Sequence, residues 1–279
     1  MITGLIVTAD DFGVDEAVNE AVERGHGEGI LTAASLMVTG AMAADAAARA
    51  RRLPALGVGL HIVLVDGRPA LPREKIPDLV DADGRFRTNM VRAGIDIFFR
   101  PTVRRQLAAE IEAQFAAFAA TGLALDHVNS HKHFHLHPTI GGLILKIGAR
   151  YGLRAIRAPV EPGAVIRSIE GGRPGFTERV AAAYAHRTRR RAVAAGLVVP
   201  DQVFGLAWSG AMTAARLAAL IERLPAGLSE IYLHPAADDA FPGHVPGYAY
   251  RDELQALLDP NVARAVRGLH RGRFADFGR

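Results

Sequence analysis

Short apolar runs alternate with helical patterns along almost the whole chain. "GLIVTA" (4–9), "AASLMV" (33–38), "GVGLHIVL" (57–64), "LDHVNSH" (125–131), "LRAIRA" (153–158), "VFGLAW" (203–208) and "EIYLHP" (230–235) have the length and apolar character of strands. Between and after them, helical spacing covers 14–29, 41–52, 104–122, 139–152, 176–195, 211–224 and 250–268. In 104–122, Leu107, Ile111, Phe115 and Phe118 recur at helical intervals and Gly122 ends the run. Strands alternating with helices predict an α/β fold with a parallel sheet covered by helices. The expected form is a distorted seven-stranded (β/α) barrel. A doubly wound open sheet is the alternative, because periodicity does not encode strand order. No repeat or linker interrupts the pattern, so 1–279 is expected to form a single domain. Residues 65–104, dense in Pro, Gly and charge, are expected to be a loop-rich insertion.

Composition narrows the chemistry. The 279 residues include no cysteine, so a metal site must draw on His, Asp or Glu. The absence of disulfides fits a cytoplasmic protein. No run approaches the roughly 18 apolar residues of a membrane helix, and "MITGLIVTADDFG" lacks the basic start of a signal peptide. The net charge of +4 is mild, and the arginine-rich runs at 100–106 and 186–193 accompany no nucleic-acid motif. No nucleic-acid partner is expected. Peripheral contact with an anionic inner-membrane surface is the minority expectation for those runs.

Five of the 11 histidines fall in "HVNSHKHFHLHP" (127–138). Active residues of a barrel sit at the C-terminal ends of its strands. Four groups are placed there: Asp10 and Asp11 in "TADDFG", His61 in "GLHIVL", the cluster from His131, and His234 in "YLHP". If the strand continues through 135, then His131, His133 and His135 share a face, spaced by about 7 Å. They are then too far apart to serve one ion together, so one is expected to ligate and the others to support it or meet substrate. His137, before Pro138, is expected at a helix start. Asp10 and Asp11 cap a helix, or else one ligates a metal and the other acts as a base. Asp plus two His with open positions suits one divalent ion, Zn²⁺ ahead of Mg²⁺.

The motifs "VTADDFG", "GLHIVL", "HVNSHKHFHLHP" and "YLHP", in this order, resemble those of the YdjC-like carbohydrate deacetylases. Within that family, "ASLMVTG", "LVDGRPALP", "LVDADGRFRTNM" and "LDHVNSHKHFHLHPT" resemble the hopanoid-biosynthesis-associated deacetylases. The resemblance implies metal-dependent hydrolysis of an N-acetylglucosaminyl group, on a hopanoid glycolipid, to the free amine. It implies Asp10 as base and Asp11, His61 and His131 as metal ligands. Asn129 stands where the family usually has Asp, and adds no negative charge.

Amide hydrolysis also needs an acid for the leaving amine. His234, which ends an apolar strand before Pro235, is the candidate, with His133 and His135 as alternatives. Arg157 in "IRAPVEP" holds substrate hydroxyls or orients a carboxylate, or else pairs with Glu161. In "GIDIFFRPTVRRQ" (94–106), Ile95, Ile97, Phe98 and Phe99 beside Arg100, Arg104 and Arg105 suit docking at a bilayer surface. The alternatives to a glycolipid deacetylase are a deacetylase of soluble chitooligosaccharides and a non-catalytic metal- or sugar-binding module.

Overall fold

β1 (Gly4–Phe12) is the centre of the sheet, and every residue of it but one is buried. In this computed structural model, residues 4–171 and 176–278 are described, those of 176–181 by backbone alone. On one side β1 leads to β2 (Ala33–Leu36), β3 (Gly57–Ile62) and β4 (Val128–Ser130). On the other it leads to β6 (Leu228–Leu233) and then β5 (Gln202–Phe204). All these pairings are parallel, and β7 (His270–Arg271) adds to the first residues of β1. Parallel strands need crossovers, and helices supply them while covering the apolar outer face. These include α1 (Glu16–Gly27), α2 (Ala43–Arg51), α4 (Pro101–Ala120), α5 (Pro138–Gly148), α7 (Phe176–Ala194), α8 (Ala214–Ile221), α9 (Tyr250–Leu258) and α10 (Pro260–Ala265). The architecture is thus the expected parallel, helix-covered barrel, in a partly open form.

Residues 153–158 depart from expectation. They form no regular strand, only single bridges from Ile156 to Val128 and from Ala155 to Val198. The segment around them nevertheless links the two edges of the sheet, β4 and β5. Val128 N–H donates to Ala155 O and Arg157 N–H to Val128 O, both at 3.0 Å. On the far side Ile156 N–H donates to Val198 O at 3.0 Å, and Val203 N–H in β5 to Val160 O at 2.9 Å. Closure therefore runs through irregular backbone, and the seventh strand is the unexpected β7.

The 65–104 region is also more ordered than its composition implies. It contains α3 (Met90–Phe99), capped by Asn89, whose side chain accepts from Arg92 N–H. Ile76, Val80, Phe86 and, within α3, Ile97 are buried. A second unexpected helix, α6 (Gly163–Glu170), follows the closing segment. Among the described residues no helix is long and apolar enough to cross a membrane.

Candidate active site

Asp10 and Asp11 are consecutive, so a regular strand would send their side chains to opposite faces. Here Asp11 has φ +62°, and the β1–β2 register slips between Ala9 and Phe12. A left-handed residue at a bulge re-aims the chain, a conformation that costs a non-glycine residue on the order of 1 kcal/mol or more. The result is that both carboxylates serve one site. Neither caps α1; Asp15 does, accepting from Ala17 N–H at 2.9 Å.

Asp11, His61 and His131 bring one ligand atom each within 4.8 Å of one another. Asp11 Oδ1 lies 3.3 Å from His61 Nε2 and 3.3 Å from His131 Nδ1. Ligands held about 2.0–2.1 Å from a tetrahedral ion are separated by roughly 3.3 Å, so both edges fit. His61 Nε2 is buried and makes no hydrogen bond, a costly state for a polar atom unless a ligand completes it. His61 Nδ1 lies 2.7 Å from Asn129 Oδ1, the second-nitrogen contact that orients a metal-binding imidazole. The donor set, one carboxylate and two imidazoles, suits one divalent cation.

Asp10 stands beside this triad and is held differently. Arg157 donates from Nη1 to Oδ2 at 2.5 Å and from Nη2 to Oδ1 at 3.0 Å. Arg157 is fully buried and also donates to Glu230 Oε1 from Nε and Nη2, at 2.9 and 2.6 Å. It stacks its cation 4.4 Å from the centre of the Tyr232 ring. Burial pushes the Asp10 carboxyl up, but the charge of Arg157 and its hydrogen bonds outweigh it and hold it well below the usual carboxylate range. Arg157 therefore orients a carboxylate and is too enclosed to grip substrate hydroxyls. Glu161, its expected alternative partner, instead accepts from the N–H groups of Gly205, Leu206 and Ala207.

The strand expected over 125–131 stops at Ser130, so it does not continue through 135. Residues His131–Leu136 form a 3-10 turn in which Lys132 and His133 both have φ +52°. The three alternating histidines thus do not share a face. His131 joins the triad. His133 Nε2 lies 2.9 Å from Tyr232 Oη. His135 is fully buried, with Nδ1 2.7 Å from Ser130 Oγ and Nε2 3.0 Å from Arg157 O. Burial, then the charge of Arg157, push His135 down to about 3 and His133 well below the usual histidine range. With both nitrogens engaged, His135 supports Arg157 from below and has no access to substrate. His137 caps α5, accepting from Thr139 N–H.

His234 follows β6, its ring 5.7 Å from Tyr232 and 5.4 Å from Tyr248. Its backbone N–H donates to the buried Glu253, and its Nδ1 is buried without a partner. Glu230 and Tyr232 escaped the sequence reading. The signal was present: Glu230, Tyr232 and His234 alternate in "EIYLHP", and a Glu inside an apolar strand needs a buried cation. Ser35, Asp126 and His127 were also missed as a set.

α3 lies beside this rim, with the Phe98 ring 6.2 Å from that of His137. Val91, Ile95, Phe98 and Phe99 are 74%, 55%, 52% and 71% exposed and fall on one helical face. Ile97, expected among them, is buried and holds the helix down. Arg100 pairs with Asp78 at 2.7 Å and Asp96 at 3.7 Å. Among the described residues no acid pairs with Arg92 or Arg104.

The fold and site together define a parallel, helix-covered barrel whose C-terminal rim carries an Asp–His–His set compatible with one divalent cation, beside an arginine-held carboxylate. The YdjC-like protein family model matches residues 4–268, and the chain belongs to that family. A carbohydrate deacetylase of Geobacillus stearothermophilus is 30% identical over 278 residues, 98% of this chain and 97% of the relative. One from Brevibacillus brevis is 40% identical over 147 residues, 53% of this chain and 56% of its own length. A chitooligosaccharide deacetylase of an Enterobacter species is 34% identical over 152 residues, 53% of this chain and 57% of the relative. A crystal structure from Enterococcus faecalis V583, 24% identical, superposes over the full length of both chains with a TM-score of 0.76 and shares the fold.

Proposed function

We propose that this chain is a carbohydrate N-deacetylase, a hydrolase of the carbon–nitrogen bond in an N-acetylated sugar, acting as one catalytic domain with one divalent ion. The observation that carries the reading is the pairing of a cation-ready triad, Asp11, His61 and His131, with a second carboxylate, Asp10, reserved from it by Arg157. A binding module has no use for that second carboxylate. The names of the relatives support the same reading.

Asp11, His61 and His131 would hold a divalent ion, which would supply polarisation of the acetyl carbonyl and acidification of water, chemistry that complements a carboxylate as weakly basic as Asp10. Zn²⁺ fits two imidazoles and one carboxylate better than Mg²⁺ does. Asp10, ionised and fixed in direction by Arg157 and Asn129, receives the proton of the attacking water. His234 delivers a proton to the departing nitrogen, because its ring is unpaired at Nδ1 while His135 is engaged at both nitrogens. His133 is the alternative acid; its Nδ1 is unpaired too, but burial and the charge of Arg157 hold it neutral, which makes it the poorer proton donor.

The favoured substrate is an N-acetylglucosaminyl hopanoid lipid. The motif resemblance supports it, and so does an exposed apolar helix beside the site mouth, flanked by Arg92 and Arg104. The second reading, a soluble chitooligosaccharide, is favoured by the Enterobacter relative. Mass spectrometry decides between them, following loss of an acetyl group from N-acetylglucosaminyl bacteriohopanetetrol and from diacetylchitobiose. Turnover of neither substrate, with metal bound, would overturn the enzymatic reading in favour of a binding module.

A further inference from the structure

Ser35, His127 and Asp126 lie beneath the site, inside the barrel, and all three are buried. Ser35 Oγ is 3.0 Å from His127 Nε2, and His127 Nδ1 is 3.1 Å from Asp126 Oδ2. The set has the order of a serine-hydrolase triad, but its burial denies it a substrate. Its upper end meets Asn129, whose Nδ2 donates to Ser35 Oγ at 2.8 Å. Its lower end meets the C-terminal segment. Ala275 N–H donates to Asp126 at 2.9 Å and Phe274 N–H at 3.3 Å, while the Phe274 ring stacks on His127 with centres 4.2 Å apart. One hydrogen-bonded series thus spans the barrel from His61 to its base.

β3 is hollowed to admit this series. A Cβ on Gly59 would lie 2.5 Å from atoms of the His127 ring, and one on Gly57 would lie 2.5 Å from Asp126 Oδ2. Two glycines weaken a six-residue strand, and here they mark where other side chains approach its backbone.

Hydrogen positions along the series follow from its ends. Asp10 Oδ1 already accepts from Arg157, so Asn129 must turn its NH₂ toward Asp10. Asn129 Oδ1 then faces His61 Nδ1, which must carry the hydrogen, leaving the lone pair on Nε2, the atom next to Asp11. The second Asn129 hydrogen goes to Ser35 Oγ, the Ser35 hydroxyl hydrogen to His127 Nε2, and the His127 Nδ1 hydrogen to Asp126. An Asp at 129 would still accept from His61 but would offer no hydrogen to Asp10 or Ser35.

We propose that Ser35, His127 and Asp126 are positioning residues that fix the carboxamide of Asn129, and so hold His61 in the one tautomer able to bind a divalent ion. The proposal rests on the metal reading above. It is tested on the full chain with three measurements: Zn²⁺ affinity by chelator competition, ¹⁵N shifts of the His61 imidazole in metal-free protein, and thermal unfolding. At alkaline pH, where the imidazole is neutral, wild type should show His61 protonated at Nδ1 and not at Nε2. Ser35→Ala and His127→Phe, the latter keeping a ring against Phe274, should each weaken Zn²⁺ binding on the order of tenfold and mix the His61 tautomers. The double variant should weaken it little more than either single change, since a series broken once is already broken. Ser35→Thr should restore affinity. Wild-type His61 protonated at Nε2 would overturn the proposal without any variant. So would affinities within twofold of wild type with unchanged tautomer populations, even if thermal stability fell. A wild type that takes no Zn²⁺ would overturn the metal reading and this proposal together, whereas the outcomes above leave the metal reading standing.

Discussion

Arg157 joins Asp10 through two parallel hydrogen bonds while two more donors reach Glu230, and none of the three side chains has appreciable contact with water. Removing the cation strands two buried carboxylates, a change that costs about 3–5 kcal/mol. Arg157→Met should lower the urea midpoint accordingly. Arg150→Met, at the surface pair with Glu112, should cost less than about 1 kcal/mol. Equal losses in the two variants would mean that the buried network adds nothing particular.

The two neighbouring aspartates should separate by function. Asp11→Ala, His61→Ala and His131→Ala should each lose bound metal and nearly all deacetylation. Asp10→Asn should retain the ion and lose about 10²–10⁴ in kcat. Metal analysis beside a deacetylation assay checks this, and an Asp10→Asn protein that emptied while Asp11→Asn stayed loaded would reverse the roles.

A carboxylate base and a histidine acid give a bell-shaped dependence of rate on pH. His234→Ala should flatten the alkaline limb, where the acid loses its proton, and leave metal content intact. If the limb survives in His234→Ala and vanishes in His133→Ala, the proton donor is the residue bonded to Tyr232.

Acid should destabilise the metal-free fold through His135 and His133. Both are held neutral in the native protein but protonate in the unfolded chain near the ordinary value of 6.5. Their contribution is whole above about pH 6.5. For His135 it is lost as the pH falls from there toward about 3, because the unfolded chain binds the proton that the fold refuses. Each such histidine adds up to about 1.4 kcal/mol per pH unit. Denaturant midpoints between pH 7.5 and 4.5 should therefore fall less steeply in His135→Gln than in wild type. Parallel slopes would show that His135 is not neutral at the start.

Phe98→Ser with Phe99→Ser should weaken binding to anionic liposomes about tenfold or more, given roughly 1.5–3 kcal/mol per buried ring. Turnover of a lipid-linked substrate should fall with it, while a short soluble N-acetylglucosamine substrate is spared. Co-sedimentation beside both assays reads the result. Equal loss on both substrates would mean that the rings support the fold instead of a lipid contact.

The sequence by itself determined the alternation of strand and helix, and with it a parallel sheet whose C-terminal rim gathers Asp10, Asp11, His61, His131 and His234. Periodicity and strand ends are local properties, so a linear reading reaches them. It also marked Asn129 as unusual, but not what the amide does. Tertiary structure decided the rest. The bulge at Asp11 and the left-handed turn at Lys132 and His133 depend on contacts with neighbouring strands, and they undo the two-residue alternation on which the histidine reading rested. Arg157 finds Asp10 147 positions away and Glu230 73 positions away, a pairing no local pattern encodes. That 153–158, an apolar run with the character of a strand, closes the sheet through single bridges instead of a regular ladder was likewise decided by the packing around it.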